Sequence, residues 1–310
     1  MKVLASRRFP GPAFAELGGV EFLPSALPGG LGEGRPGVEA LAVVSETVDE
    51  RSLELLPDLR LVANYGAGYD GIDVQACRRH GVEVTNTPGV LDAATADLAF
   101  ALILATRRRI VEADALVRAL RWDSGWAEGQ ILGEDVSGAT LGVVGLGRIG
   151  RAVTRRARGF DMRILYTQRR RLPAAEERRR GVEYGPLDAL LSEAEIVTLH
   201  VPVTEETRGF IDERRLRLMR DGACLVNTAR GRLVEEAPLV EALVEGRLRA
   251  GLDVFAHEPD VPAALLGLPN VVLTPHIGSA TAQTREAMTR VLVDNILAAA
   301  AGRPLPNPVT

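Results

Sequence analysis

The sequence predicts an α/β protein built as two doubly wound parallel-sheet domains. Three observations carry that prediction. From residue 139 onward, apolar runs alternate with helical stretches: Ala139–Gly145, Met162–Thr167, Ile196–Val201, Ala223–Thr228, Ala250–Phe255 and Val271–Thr274. This is the rhythm of parallel strands joined by crossover helices. The first of these runs breaks into Gly145-Leu-Gly-Arg-Ile-Gly150, and a helical stretch, Arg148–Arg158, follows. A length of 310 residues is also more than one hydrophobic core usually serves.

Before residue 90 the clearest strands are Lys2–Ala5, Leu41–Ser45, Leu59–Tyr65 and Val82–Thr85. Between the first two, Phe9–Gly37 is rich in Pro and Gly and shows no period. Residues 92–119 read as one long Ala/Leu-rich helix with Asp92 at its N-cap. Thr281–Ala301 is again helical and runs into a Pro-rich tail. No internal repeat is visible.

Composition excludes several classes. A formal net charge of −4 gives no long-range attraction for nucleic acid or an anionic membrane. No apolar stretch is long enough to span a bilayer, and Met1–Ala5 reads as a strand rather than a signal peptide. The two cysteines, Cys77 and Cys224, form no disulfide or metal pattern, so a cytoplasmic protein without a bound metal is expected. Lys2 is the only lysine, which removes Schiff-base chemistry from consideration. The arginine groups at 107–109, 155–156 and 178–180 read as solvated helix faces.

The glycine-rich turn has a specific physics. Gly145 permits the tight turn, Gly147 lets a pyrophosphate approach the backbone, and Gly150 lets the helix sit close on the strand. Arg148 and Ile149 lie between them, where the helix begins and its N–H groups and dipole face the phosphates. A unit that binds NADH usually ends its second strand with a carboxylate for the ribose 2′-hydroxyl. Here Met162–Thr167 is followed by Gln168-Arg169-Arg170-Arg171, with no carboxylate. Guanidinium groups suit a 2′-phosphate, so NADPH is preferred and NADH remains possible. Arg169 is the expected direct contact, with Thr167 and Gln168 in support; the alternative is a loop of solvated arginines.

In open α/β sheets, ligands bind beyond the carboxyl ends of the strands. Three later strand runs lead there into Asn227-Thr228-Ala229-Arg230-Gly231, Asp253 through Glu258-Pro259, and Thr274-Pro275-His276-Ile277-Gly278-Ser279. Reduction of a 2-keto acid needs a cation for the carboxylate and carbonyl, and an acid for the developing alkoxide. Arg230 can supply the first and His276 the second. Glu258 would bond the imidazole and favour its protonated form. Singly, each has a plain structural reading as a surface group, a turn residue or a strand-end hydrogen bonder.

The whole set resembles the D-isomer-specific 2-hydroxyacid dehydrogenase family. The motifs, in family order, are Asn64–Asp73, Val84–Gly89, Gly145–Gly150, His200–Thr207, Asn227–Gly231, Gly251–Phe255, Glu258-Pro259 and Pro275–Ser279. The resemblance implies a dinucleotide-binding Rossmann domain, 94–280, inserted in a discontinuous flavodoxin-like substrate domain, 1–93 plus 281–310, with the active site in the cleft between them. It implies that Arg230, Glu258 and His276 are catalytic and that the Ala67 and Gly68 amides hold the substrate carboxylate. Arg230 and His276 would also touch substrate. Thr95, Thr228, Asp253 and Ser279 join the fingerprint as cofactor contacts, Asp253 at the nicotinamide carboxamide. A homodimer is implied as well. Ala67 argues against phosphite dehydrogenases and Glu258 against formate dehydrogenases, while the Tyr-Thr-Gln-Arg-Arg segment is similar to NADPH-preferring glyoxylate/hydroxypyruvate reductases. The expectation is reduction of glyoxylate or hydroxypyruvate to the D-2-hydroxy acid. The alternatives are an NADH-dependent phosphoglycerate or D-lactate dehydrogenase, or a nucleotide-sensing scaffold similar to the C-terminal-binding corepressors. Substrate choice is expected to reside in the loops between residues 40 and 70 and near Trp126.

Overall fold

The computed structural model describes residues 1–23, 34–122 and 131–309; Trp126 and part of the Pro/Gly-rich stretch lie outside the described residues. The chain divides into two compact units, Met1–Leu91 with Ser279–Thr310, and Asp92–Gly278.

The first unit is built on β1 (Val3–Ala5), β2 (Glu21–Phe22), β3 (Ala40–Val43), β4 (Leu61–Asn64) and β5 (Glu83–Thr85). All pairings are parallel and the order is β2-β1-β3-β4-β5. Every residue of β1, β3 and β4 is buried, as expected of parallel strands covered on both faces. Helices α1 (Glu50–Glu54) and α2 (Val74–Arg79) start where Asp49 and Asp73 accept the amides of Ser52 and Ala76.

The second unit opens with α3 (Asp92–Arg107) and α4 (Ile110–Arg118). The single long helix expected over 92–119 is therefore broken. Arg109 takes the left-handed conformation, φ 52°, and the Arg107 carbonyl accepts the Glu134 amide at 2.8 Å instead of continuing the helical ladder. Nor is Arg107 on a solvated face. It is 5% exposed, paired with Glu134 and bonded to the Asp135 carbonyl.

Seven parallel strands follow: β6 (Thr140–Val144), β7 (Arg163–Thr167), β8 (Glu183–Tyr184), β9 (Ile196–Leu199), β10 (Cys224–Asn227), β11 (Arg249–Leu252) and β12 (Val271–Leu273). Their order is β12-β11-β10-β9-β6-β7-β8, so the winding reverses between β6 and β9. Helices α5 (Arg148–Ala157), α6 (Ala174–Arg180), α7 (Leu187–Glu193), α8 (Glu213–Leu218) and α9 (Glu236–Val244) lie along this part of the chain. Leu141, Val143, Ile164, Ile196, Cys224 and Val226 form one core with α3 and α5; Leu165, Val197, Leu199 and Leu225 join a second with α7, α8 and α9. Finally α10 (Ala282–Ala300), capped by Thr281, completes the first unit. Both units are thus α/β with parallel sheets. The two-residue strands β2 and β8 carry too little pattern to be read from sequence. Among the described residues, no helix is long and apolar enough to cross a membrane.

Candidate active site

Because β6, β7, β9, β10, β11 and β12 are parallel in one sheet, their carboxyl ends share one edge. The glycine fingerprint lies there, leading from β6 into α5. Gly145 has φ +96°, and a Cβ on it would lie 2.6 Å from the His200 carbonyl oxygen. A Cβ on Gly150 would lie 2.1 Å from the Gly145 oxygen, so only glycine lets α5 approach the strand. Gly147 differs. Its φ of −74° suits any residue, and a Cβ there would meet nothing within 4 Å. Gly147 is also the N-cap of α5, and no side chain caps that helix. Open space therefore lies before an uncapped helix start. Thr228, at the end of β10, adds a buried hydroxyl oxygen without a hydrogen-bond partner. These features fit a dinucleotide with its pyrophosphate at the α5 terminus.

At the end of β7 the Thr167 carbonyl accepts the Gly145 amide at 2.9 Å, tying the two strand ends together. Gln168 donates to the Arg170 carbonyl at 2.6 Å, and Arg169 and Arg170 are exposed. Arg171 is committed elsewhere, to both carboxylate oxygens of Glu177. Those bonds, with one from the Tyr166 hydroxyl, hold the Glu177 carboxyl down at about 2.

The other carboxyl-end groups meet farther along the edge. His276 Nδ1 lies 2.7 Å from Glu258 Oε2, and Glu258 Oε1 accepts the Phe255 amide at 3.0 Å. Burial pushes the Glu258 carboxyl up. The His276 hydrogen bond and charge, the Phe255 amide and the nearby Arg230 charge outweigh it, and the net shift is downward. Arg230 follows β10 in a half-buried position, with its Nη1 donating to the Ala229 carbonyl. Asn227 shapes that turn, bonding the Arg230 carbonyl and the Ala229 amide.

Asp253, fully buried after β11, grips the loop that bears His276. It accepts Thr274 Oγ1 at 2.6 Å, the Ile277 amide at 2.8 Å and the Gly278 amide at 2.9 Å. Burial raises its carboxyl above the ordinary value, and these bonds recover part of the cost. A Cβ on Gly278 would lie 3.3 Å from both Asp253 Oδ2 and Thr95 Cγ2, so buried Thr95 borders the same spot. The structure thus brings Arg230, Glu258, His276, Asp253 and Thr95 into one region of the second unit.

Ala67, Gly68 and Ser279 belong to the first unit. After β4, Asn64 Nδ2 donates to the Gly66 and Gly68 carbonyls at 3.0 and 2.8 Å. Asn86 donates to the Ala67 carbonyl at 2.8 Å, and the Thr87 amide to that of Gly66 at 3.0 Å. With its carbonyls occupied, the loop has amides left to offer an anion. Asn64, Asn86 and the anchoring by Asp253 were not foreseen as site features. Both asparagines stood inside the motifs quoted above, which was the available signal.

The chain matches the model of the D-isomer specific 2-hydroxyacid dehydrogenase NAD-binding domain over residues 100–278. It is 50% identical over 275 residues to a glyoxylate reductase of Thermococcus litoralis, covering 87% of this chain and 83% of that one. It belongs to the D-isomer-specific 2-hydroxyacid dehydrogenase family. Solved structures agree. A Thermus thermophilus protein is 42% identical with a TM-score of 0.89, covering 100% of both chains. An NADPH-dependent glyoxylate/hydroxypyruvate reductase of Sinorhizobium meliloti, in complex with NADP and malonate, is 33% identical with a TM-score of 0.87, covering 100% of this chain and 96% of that one. This dehydrogenase is accordingly an NAD(P)-dependent oxidoreductase of the 2-hydroxy acid/2-keto acid couple.

Proposed function

We propose that this dehydrogenase uses NADPH to reduce a small 2-keto acid, glyoxylate or hydroxypyruvate, to the D-2-hydroxy acid. The carrying observation is the 2.7 Å pair of Glu258 and His276 on the sheet edge that also holds the glycine fingerprint. The names of the Thermococcus and Sinorhizobium relatives support the substrate class.

Gly145, Gly147, Arg148, Ile149 and Gly150 would hold the pyrophosphate, with Thr95, Thr228, Asp253 and Ser279 lining the rest of the cofactor site. Bound NADPH supplies a hydride. Glu258 holds Nδ1 of His276, so Nε2 is the nitrogen that faces substrate and delivers a proton to the oxygen that becomes the hydroxyl. Arg230 binds the carboxylate and carbonyl oxygens and stabilises charge as it gathers there. The family resemblance also assigns carboxylate binding to the Ala67 and Gly68 amides, whose loop carbonyls are already taken by Asn64 and Asn86.

The cofactor preference rests on the end of β7, where no carboxylate between residues 167 and 171 can receive a ribose 2′-hydroxyl, while Arg169 and Arg170 stand exposed. A homodimer is supported by α4 and its surroundings. Ile110, Val111, Val117, Leu120, Trp122 and Leu132 are all exposed, and Leu120 is 92% exposed. An apolar patch of this kind marks an interaction surface; sedimentation at micromolar concentration tests it, and a monomer would overturn it. Cys77 and Cys224 are both buried and unpaired, in keeping with a cytoplasmic protein.

The deciding assay follows nicotinamide oxidation with hydroxypyruvate and with glyoxylate, each with NADPH and NADH. Turnover fastest with NADPH supports the reading. Tight cofactor binding without turnover on either acid would overturn the substrate assignment.

A further inference from the structure

The segment that follows β7 is closed at both ends. Tyr166, fully buried, accepts the Leu172 amide at 2.8 Å and donates its hydroxyl hydrogen to Glu177 Oε1 at 2.8 Å. Residue 172 is thereby pinned back to residue 166, and the chain between them forms a loop. Glu177, itself 7% exposed on α6, grips Arg171 at Nε and Nη2 over 2.8 and 2.9 Å. The Arg171 guanidinium also lies over the Tyr184 ring, 5.3 Å from its centroid. At the start of the loop, the Thr167 carbonyl is held by the Gly145 amide. Between these anchors stand residues 168–170, which carry two exposed guanidinium groups.

We infer that Tyr166 and Glu177 are positioning residues for recognition of the cofactor's 2′-phosphate, presetting the turn that presents Arg169 and Arg170. The inference rests on the NADPH reading above. Two physical effects support it. A loop already closed loses less conformational freedom when it engages a ligand. A carboxylate saturated by Arg171 is also withheld from Arg169 and Arg170, whose charges it would otherwise neutralise beside the phosphate.

Direct binding to the full-length protein tests this with two probes, 2′,5′-ADP and 5′-AMP, read by calorimetry. The parent is expected to favour 2′,5′-ADP, and Arg169→Ala to lose that preference. Tyr166→Phe and Glu177→Gln should each weaken 2′,5′-ADP about tenfold and leave 5′-AMP unchanged. In steady-state assays the KM for NADPH should rise while that for NADH stays. Folded variants that bind 2′,5′-ADP like the parent, or that lose both probes equally, would overturn the inference while Arg169→Ala still upholds NADPH. A parent that does not distinguish the probes, or an Arg169→Ala variant that keeps the preference, would overturn the NADPH reading and the inference with it. Should Glu177→Gln fail to fold, Tyr166→Phe decides alone, because it keeps the ring packing and removes only the hydroxyl.

Discussion

His276 Nδ1 meets Glu258 Oε2 at 2.7 Å while the His276 backbone sits in the left-handed region, φ 53°. Histidine adopts that conformation rarely, and it costs on the order of 1 kcal/mol. Here the His276 amide is held by the Asp253 carbonyl at 2.8 Å, and the amides after it by the Asp253 carboxylate. The ring is therefore aimed from two directions, by Glu258 at its nitrogen and by Asp253 at its backbone. About half of the His276 side chain, 49%, is exposed, so it can be both oriented and reached.

Removing the ring removes the proposed acid. His276→Ala should lower kcat for ketone reduction about 10²–10⁴-fold and leave cofactor affinity nearly unchanged, read by NADPH fluorescence titration. Near-parental turnover would sink the assignment. Glu258→Gln should lower turnover less, read in the same assay. The Glu258 carboxyl is depressed, so it is anionic at working pH and orients the ring with a charged acceptor; the amide brings no charge to Nδ1.

Asp253 can be tested apart from the chemistry. In Asp253→Asn one oxygen remains as acceptor, and the new NH2 faces an amide N–H of Ile277 or Gly278. A buried donor left unpaired costs about 1–3 kcal/mol. The urea midpoint should fall accordingly, and turnover should fall with it as the His276 loop loosens. An unchanged midpoint would show that the carboxylate does not hold the loop.

Much of this arrangement could be read before the fold was known, because it depends on local patterns. Gly145 and Gly150 are dictated by backbone approach, and Arg230, Glu258 and His276 each follow an apolar run. What escaped the sequence depends on distant partners. The break after Arg107 needs Glu134, which has no sequence relation to it. The solvated-arginine reading failed at Arg107 for the same reason. Asn64 and Asn86 shape one loop from two strands, and Tyr166 reaches Glu177 only once α6 has folded back.

Two of the three fingerprint glycines, Gly147 and Gly150, should respond differently to the same substitution. Gly150→Ala places a methyl 2.1 Å from the Gly145 oxygen, a clash with backbone that cannot swing away. Lost stability, several degrees or more in Tm, should come before any effect on binding. Gly147→Ala meets nothing within 4 Å at an ordinary φ of −74°. Its Tm should match the parent, while affinity for NADPH drops tenfold or more as the methyl occupies the pyrophosphate's approach. Equal affinity in Gly147→Ala and the parent would move the pyrophosphate away from this helix start.

Acid stability has an identifiable contributor in His200, which follows β9 and lies beside Gly145. Desolvation of its ring lowers its pKa to about 4 from 6.5, and its Nε2 shares a hydrogen bond with Thr198 Oγ1 at 2.9 Å. The unfolded chain therefore binds a proton between pH 6.5 and pH 4 that the folded chain does not. By linkage, this contribution is fully present above the unfolded value and is lost as pH falls toward the folded one, by no more than about 3 kcal/mol. His200→Gln, which keeps a hydrogen-bonding side chain without a titrating ring, should flatten the fall in urea midpoint between pH 6.5 and pH 4 relative to the parent. The depressed carboxylate Glu177, at about 2, contributes at lower pH and should be untouched by the substitution. Parallel curves for parent and variant across that window would show that the His200 ring is hydrated and titrates as freely in the fold as outside it.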